Sequence, residues 1–173
     1  RIESYVKYGE VAYDLYQTGY DVLIMDHRGQ GRSGRLLKDG HRGHVARFAD
    51  YVDDVEQCWQ RYVQPTLIQT PPRYSHCFAI AHSMGGAILA HFLARCPEAF
   101  TAVALCAPMC GIRLPMPGWM AARIVNWAER HPGVRDYYAI GTGQWRPMPF
   151  FVNALTQQPN TCLLYTSPSP RDR

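Results

Sequence analysis

The stretch from Cys77 to Ala90 limits what this chain can fold into more than any other part of it. A short apolar run, Phe78 to Ala81, leads through His82-Ser83-Met84-Gly85-Gly86 into the helix-forming residues Ala87 to Ala90. A strand that turns this sharply into a helix forces its corner residue into a strained backbone conformation, so the positions two before and two after it must be small. Ala81 and Gly85 meet that requirement around Ser83. The helix that follows aims its first amides at the corner, and those amides with the helix dipole favour negative charge there. This is the pattern of a nucleophile elbow, with Ala81 where glycine is usual, and it marks Ser83 as a nucleophile. The plainer alternative is a chance glycine-flanked serine in a turn.

The elements around the elbow predict an α/β fold with a mostly parallel sheet. From Ser4 to Thr18, Tyr5, Tyr8, Val11, Ala12, Leu15 and Tyr16 recur at helical spacing, and Gly19 stands where a left-handed cap would end that helix. Asp21 to Met25 is a short apolar run suited to a strand buried on both faces. The glycine-punctuated segment Asp26-His27-Arg28-Gly29-Gln30-Gly31-Arg32-Ser33-Gly34 then forms a loop at the carboxyl end of that strand, where open α/β sheets place ligands. Its glycine spacing, with no helix pattern directly after, is not a dinucleotide fingerprint, and an irregular polar loop continues from Leu36 to Val45.

A second helix is predicted from about Phe48 to Val63, with Phe48, Tyr51, Val52, Val55, Trp59, Tyr62 and Val63 on one stripe, followed by a proline-rich loop from Gln64 to Ser75. The carboxylates Asp50, Asp53, Asp54 and Glu56 crowd its first half, as a solvated helix face favoured by the helix dipole requires, and need no catalytic reading. After the elbow, Gly85 to Ala94 is apolar nearly all round, which predicts a buried helix, and Thr101 to Ala107 supplies the next strand. Alternating helices and strands imply right-handed crossovers.

Beyond Pro108 the character changes. Prolines at 115, 117, 132, 147 and 149 punctuate a region that holds three of the four tryptophans and four of the six methionines. Met116 to Arg130 reads as a helix, with Met120, Ile124, Trp127 and Ala128 on one side. A soft, aromatic, Met-rich insertion after a sheet strand suits a lid over an apolar ligand, and equally suits residues that pack such a lid onto the core. The division expected is a partial core over 1–108, a partial lid over 109–161 and a tail over 162–173. The tail, from Cys162-Leu163-Leu164-Tyr165 onward, is identified as the translation of a transposase sequencing adapter and is set aside from fold reasoning.

Composition excludes several classes. With 47% hydrophobic and 18% charged residues the chain is globular, and its net charge of +4 is spread without the basic block of a nucleic-acid binder. Six cysteines without a Cys-x-x-Cys pair, mostly in apolar surroundings, point to buried thiols and a reducing compartment. No run reaches the roughly 18 apolar residues of a membrane span. The first residues, Arg1-Ile2-Glu3, carry neither an initiator methionine nor a signal peptide, so the start is read as a cut. No spacing of His, Cys, Asp and Glu suggests a metal site, and no cofactor is expected.

Four separated segments in order carry a family resemblance: Arg1 to Tyr8, Asp26 to Gly34, Ala81 to Gly86, and in the last region Asn126-Trp127-Ala128-Glu129 with Tyr138-Ala139-Ile140-Gly141-Thr142-Gly143. On these the chain resembles the α/β-hydrolase family over about residues 1–158. Within it, the chain is similar to bacterial lysophospholipases of the L2 type, relatives of monoacylglycerol lipases and of the serine aminopeptidase S33 group. The resemblance implies a serine esterase for lysophospholipids or other single-chain acyl lipids, with Ser83 as nucleophile and the Met84 backbone N–H as one oxyanion donor. It implies the Arg1 backbone N–H as the other donor, and an acid and a histidine that follow Ser83 in that order, beyond Thr161.

The seven histidines at 27, 41, 44, 76, 82, 91 and 131 are accordingly not expected to be the general base, and the chain as given is expected to be inactive. The resemblance further implies peripheral contact with the cytoplasmic side of the bacterial inner membrane through the lid. Alternatives are a monoacylglycerol lipase, an S33-type aminopeptidase or, from another class, a non-catalytic binding protein.

Overall fold

The structure is a computed structural model that describes residues 4–40, 42–111 and 116–135. The described residues fall into two compact units, divided between Val45 and Ala46 and again between Glu129 and Arg130.

In the first unit a 3-10 turn, Tyr5–Tyr8, runs into helix α1, Gly9–Gln17. Ser4 starts it: its backbone is extended and its Oγ accepts the Val6 N–H at 3.3 Å. Gly19 ends it at φ +93, with the Gly19 N–H bonded to Tyr16 O and the Tyr20 N–H to Leu15 O at 3.0 and 3.1 Å, a Schellman close. The strand expected at Asp21 to Met25 is corrected by the structure, because residues 21–27 join no ladder among the described residues. An apolar run favours extended backbone, but it becomes a strand only when a neighbour takes up its amides and carbonyls.

The second unit holds the core. Helix α2, Ala49–Cys58, passes into a wider π turn, Trp59–Val63, and then into α3, Gln64–Ile68. The helix therefore overruns the predicted stop at Val63, and the segment expected to be loop from Gln64 is helical for its first five residues. Pro65 cannot donate to a carbonyl one turn back and its ring crowds that turn, so the switch to a wider turn just ahead of it lets the chain stay helical. Strand β1, Phe78–His82, helix α4, Met84–Arg95, and strand β2, Ala102–Cys106, form a βαβ unit whose strands pair in parallel, Phe78 with Ala102 through His82 with Cys106.

Helix α4 buries one stripe, Ile88, Leu89 and Phe92, against Tyr51, Val52 and Trp59 of the preceding helix. The Phe92 ring lies 6.2 Å from Trp59 and 6.0 Å from Phe100, and Trp59 meets Phe100 edge-on at 4.9 Å. Arg95 adds an ion pair to Asp53 at 2.7 Å and to Glu56 at 3.1 Å. The expectation of burial all round is corrected: Ala90, His91 and Ala94 are exposed, because the described neighbours of α4 cover its Ile88, Leu89 and Phe92 stripe and not its whole circumference. Helix α5, Gly118–Glu129, sits within the predicted Met116 to Arg130, with the Met120 and Ala121 amides bonded to Pro117 O. Helix α6 is the short Pro132–Arg135. No described helix is long and apolar enough to cross a membrane.

Candidate active site

Ser83 is the single residue between β1 and α4, and its backbone stands at φ +53, ψ −119. A residue with a Cβ reaches that region only under strain. The surroundings hold it there from both sides. Its N–H donates to Cys106 O at 3.0 Å, and its carbonyl accepts from Gly86 at 3.0 Å, Ala87 at 3.3 Å and Met109 at 2.9 Å. A serine in front of a helix ordinarily caps it with its hydroxyl. Ser83 makes no such bond, so its Oγ is left for other chemistry.

Met84 opens α4, and its amide belongs to the first turn, which has no intrahelical acceptor. The amides of Gly86 and Ala87 are already engaged by Ser83 O, so the Met84 N–H is a donor that the helix itself does not use, beside the strained serine. Gly86 is required by contact: a Cβ there would stand 2.9 Å from Pro108 Cβ and 3.0 Å from its Cα. The other predicted donor, Arg1, lies outside the described residues, as does His41.

The histidines are dispersed. In the same unit as Ser83, His91 packs edge-on to Phe48 at 5.5 Å, His76 bonds Ser75 Oγ at 2.9 Å and stacks on Phe78, and His82 is the exposed last residue of β1. His27, His44 and His131 belong to the other unit. Among the described residues, none bonds Ser83 Oγ, and no three His, Cys, Asp or Glu side chains gather as a metal ion would need. The cysteines are less buried than their apolar neighbours in sequence predict. Cys106 and Cys110 are exposed and Cys58, Cys77 and Cys96 half-buried, all as free thiols. Burial still pushes the Cys58 and Cys77 thiols up from their ordinary range.

Sequence reasoning missed what organises the glycine loop. The Asp26 carboxylate takes the Tyr5 N–H at 2.7 Å and the Arg32 N–H at 2.8 Å, while Asp26 O accepts Ser33 Oγ at 2.6 Å. Gly29 and Gly31 both hold positive φ, and a Cβ on Gly31 would collide with that carboxylate. Arg35 clips the loop by donating to the carbonyls of Gly31, Ser33 and Gly40. The available signal was an aspartate three residues ahead of a Gly-x-Gly turn, where a carboxylate reaches neighbouring amides.

With the elbow and its geometry in place, the comparisons with known proteins fall on the same chain. The family model for serine aminopeptidase, S33, matches residues 1–140. The chain belongs to that family. It is 60% identical over 156 residues to "Lysophospholipase L2" of Escherichia coli (strain K12), covering 90% of this chain and 44% of that protein. It is 33% identical over 156 residues to "Probable lysophospholipase L2" of Haemophilus influenzae, covering 90% of this chain and 47% of the relative. A "Monoacylglycerol lipase" of Mycolicibacterium smegmatis is 34% identical over 104 residues, 59% of this chain and 32% of that protein. The chain thus spans less than half the length of these relatives. No solved structure matches it significantly. The S33 membership, the parallel strands and the helices between and beside them agree with the expected α/β class.

Proposed function

We propose that the full-length protein is a serine carboxylic-ester hydrolase that removes the acyl chain of lysophospholipids or related single-chain lipids. The observation that carries the reading is Ser83 at φ +53 between a parallel strand and a helix, with its hydroxyl not used as a cap. The likeness to proteins named lysophospholipase L2 supports the substrate class. Ser83 Oγ adds to the ester carbonyl carbon as a histidine base takes its proton, and the oxyanion is held by the Met84 N–H and, from the resemblance, the Arg1 N–H. The ester C–O bond breaks, the alcohol leaves with the proton, and water then releases the fatty acid and restores Ser83. The base and its acid partner are assigned to no residue of this chain, which predicts that the chain alone is inactive.

Residues 109–161 would form part of a lid over the acyl chain. Helix α5 supports that reading by exposing Trp119, Met120, Ile124 and Trp127, an amphipathic face suited to peripheral contact with the cytoplasmic side of the inner membrane. A monoacylglycerol lipase is the second reading, favoured by the relative of that name. An S33-type aminopeptidase and a non-catalytic binding protein are the remaining ones.

The test gives full-length protein a lysophospholipid, a monoacylglycerol and an aminoacyl amide in parallel. Fastest turnover of the lysophospholipid, lost in Ser83→Ala, is the expected result. Preference for either other substrate selects that alternative, and no turnover of any selects the binding protein. Turnover of a p-nitrophenyl ester by the 173-residue chain alone, lost in Ser83→Ala, would show that one of its own histidines serves as base.

A further inference from the structure

The two strands end at one level. His82 is in register with Cys106, so Ser83 and Ala107 are the next pair, and both hold positive φ, +53 and +44. For Ser83 the elbow accounts for the strain. Ala107 is neither glycine nor a residue whose side chain bonds its own backbone, so its left-handed bend has no local cause and must be imposed by what surrounds it.

What the bend achieves is seen at its two ends. Cys106 O, just before it, accepts the Ser83 N–H at 3.0 Å, and the Met109 N–H, two residues after it, donates to Ser83 O at 2.9 Å. Between them Pro108 lies so close to Gly86 that a methyl group there would overlap it. The segment 106–109 therefore grips both peptide groups of Ser83 and braces the first turn of α4. An extended residue at 107 would carry Met109 onward along the strand direction, away from the serine carbonyl.

We propose that Ala107, Pro108 and Met109 form a backbone clamp that positions the nucleophile. The left-handed bend at Ala107 returns the Met109 amide to Ser83 O, and the clamp keeps Ser83 in the elbow conformation from which its Oγ reaches substrate. Ala107 is a positioning residue, acting through Ser83. The inference rests on the reading of Ser83 as nucleophile.

The experiment uses the full-length protein and compares Ala107→Gly, Ala107→Val, Gly86→Ala and Ser83→Ala. The readouts are steady-state hydrolysis of a p-nitrophenyl ester, the rate at which a fluorophosphonate labels Ser83 with loss of fluoride, and thermal unfolding by circular dichroism. Glycine takes positive φ freely, so Ala107→Gly keeps kcat and labelling rate within about twofold of the parent. A β-branched side chain cannot sit at φ +44, so Ala107→Val displaces the clamp and lowers both rates about 100-fold while KM stays within about twofold.

An Ala107→Val protein that is folded and labels at the parental rate overturns the clamp. So does a loss of rate matched by an equal loss of folded protein. Should Ala107→Val fail to fold, Gly86→Ala carries the test: the same split of kcat from KM supports the clamp, and a lowered melting temperature with unchanged kcat overturns it. Turnover that survives Ser83→Ala sinks the nucleophile reading and the clamp with it. Turnover lost in Ser83→Ala but unaffected in a folded Ala107→Val sinks the clamp alone.

Discussion

Replacing Ser83 by glycine and, separately, by alanine separates the backbone cost of the elbow from its chemistry, because both variants lack the hydroxyl and only one retains a Cβ. At φ +53, ψ −119 a non-glycine residue costs about 1–3 kcal/mol, which glycine avoids. Against that, glycine in the unfolded chain has more freedom to lose, worth about 0.4–1 kcal/mol. The hydroxyl makes no capping bond, so its removal adds no lost bond at the helix start in either variant. From the middle of these ranges, about 2 less about 0.7, Ser83→Gly should be more stable than Ser83→Ala by about 1.3 kcal/mol. With a denaturant slope of about 1–3 kcal/mol per molar, the urea midpoint should rise by roughly 0.4–1.3 M. The assay is equilibrium unfolding of both full-length variants followed by tryptophan fluorescence. A Ser83→Gly midpoint at or below that of Ser83→Ala would refute the claim that this backbone is strained.

Phe92→Ala removes a side chain with no exposed surface from against Trp59 and Phe100, and should cost about 3–5 kcal/mol in the same unfolding assay. Arg95→Ala removes two ion pairs whose members are all partly exposed, so the midpoint should move little, and less still in high salt. At neutral pH, iodoacetamide should modify exposed Cys106 and Cys110 before Cys58 and Cys77, by peptide mass spectrometry, since burial holds the latter two thiols protonated. The same shift sets a sign for stability. A raised thiol pKa in the fold favours the protonated form, so its contribution is present below the ordinary thiol range and fades as pH rises through the folded value.

Where the sequence pattern was local, the reading agrees with the structure. The cap at Gly19, the strand, corner and helix around Ser83, the glycine loop and the helix following Pro117 each depend on residues within a few positions of one another. Three of the misses concern the elements themselves. Residues 21–25 read as a strand on apolarity alone, yet a strand exists only through a partner. The proline at 65 read as a stop, yet a widened turn carried the helix past it. The even apolarity of α4 read as full burial, yet Ala90, His91 and Ala94 stay exposed while Ile88, Leu89 and Phe92 are covered.

The candidate site divides along the same line. Sequence by itself determined that a sharp strand-to-helix corner can be built at Ser83, because the small neighbours at 81 and 85 permit one, with Met84 next to it at the start of a helix-forming run. Nothing local in Cys106-Ala107-Pro108-Met109 announces a role for those residues, which lie more than twenty positions further along. Their connection to Ser83 arises only when β2 pairs in parallel beside β1 and brings Ala107 level with the serine. The corner is encoded by sterics within one segment, whereas the bonds to Cys106 O and from the Met109 N–H that hold it join segments that only the folded sheet makes neighbours.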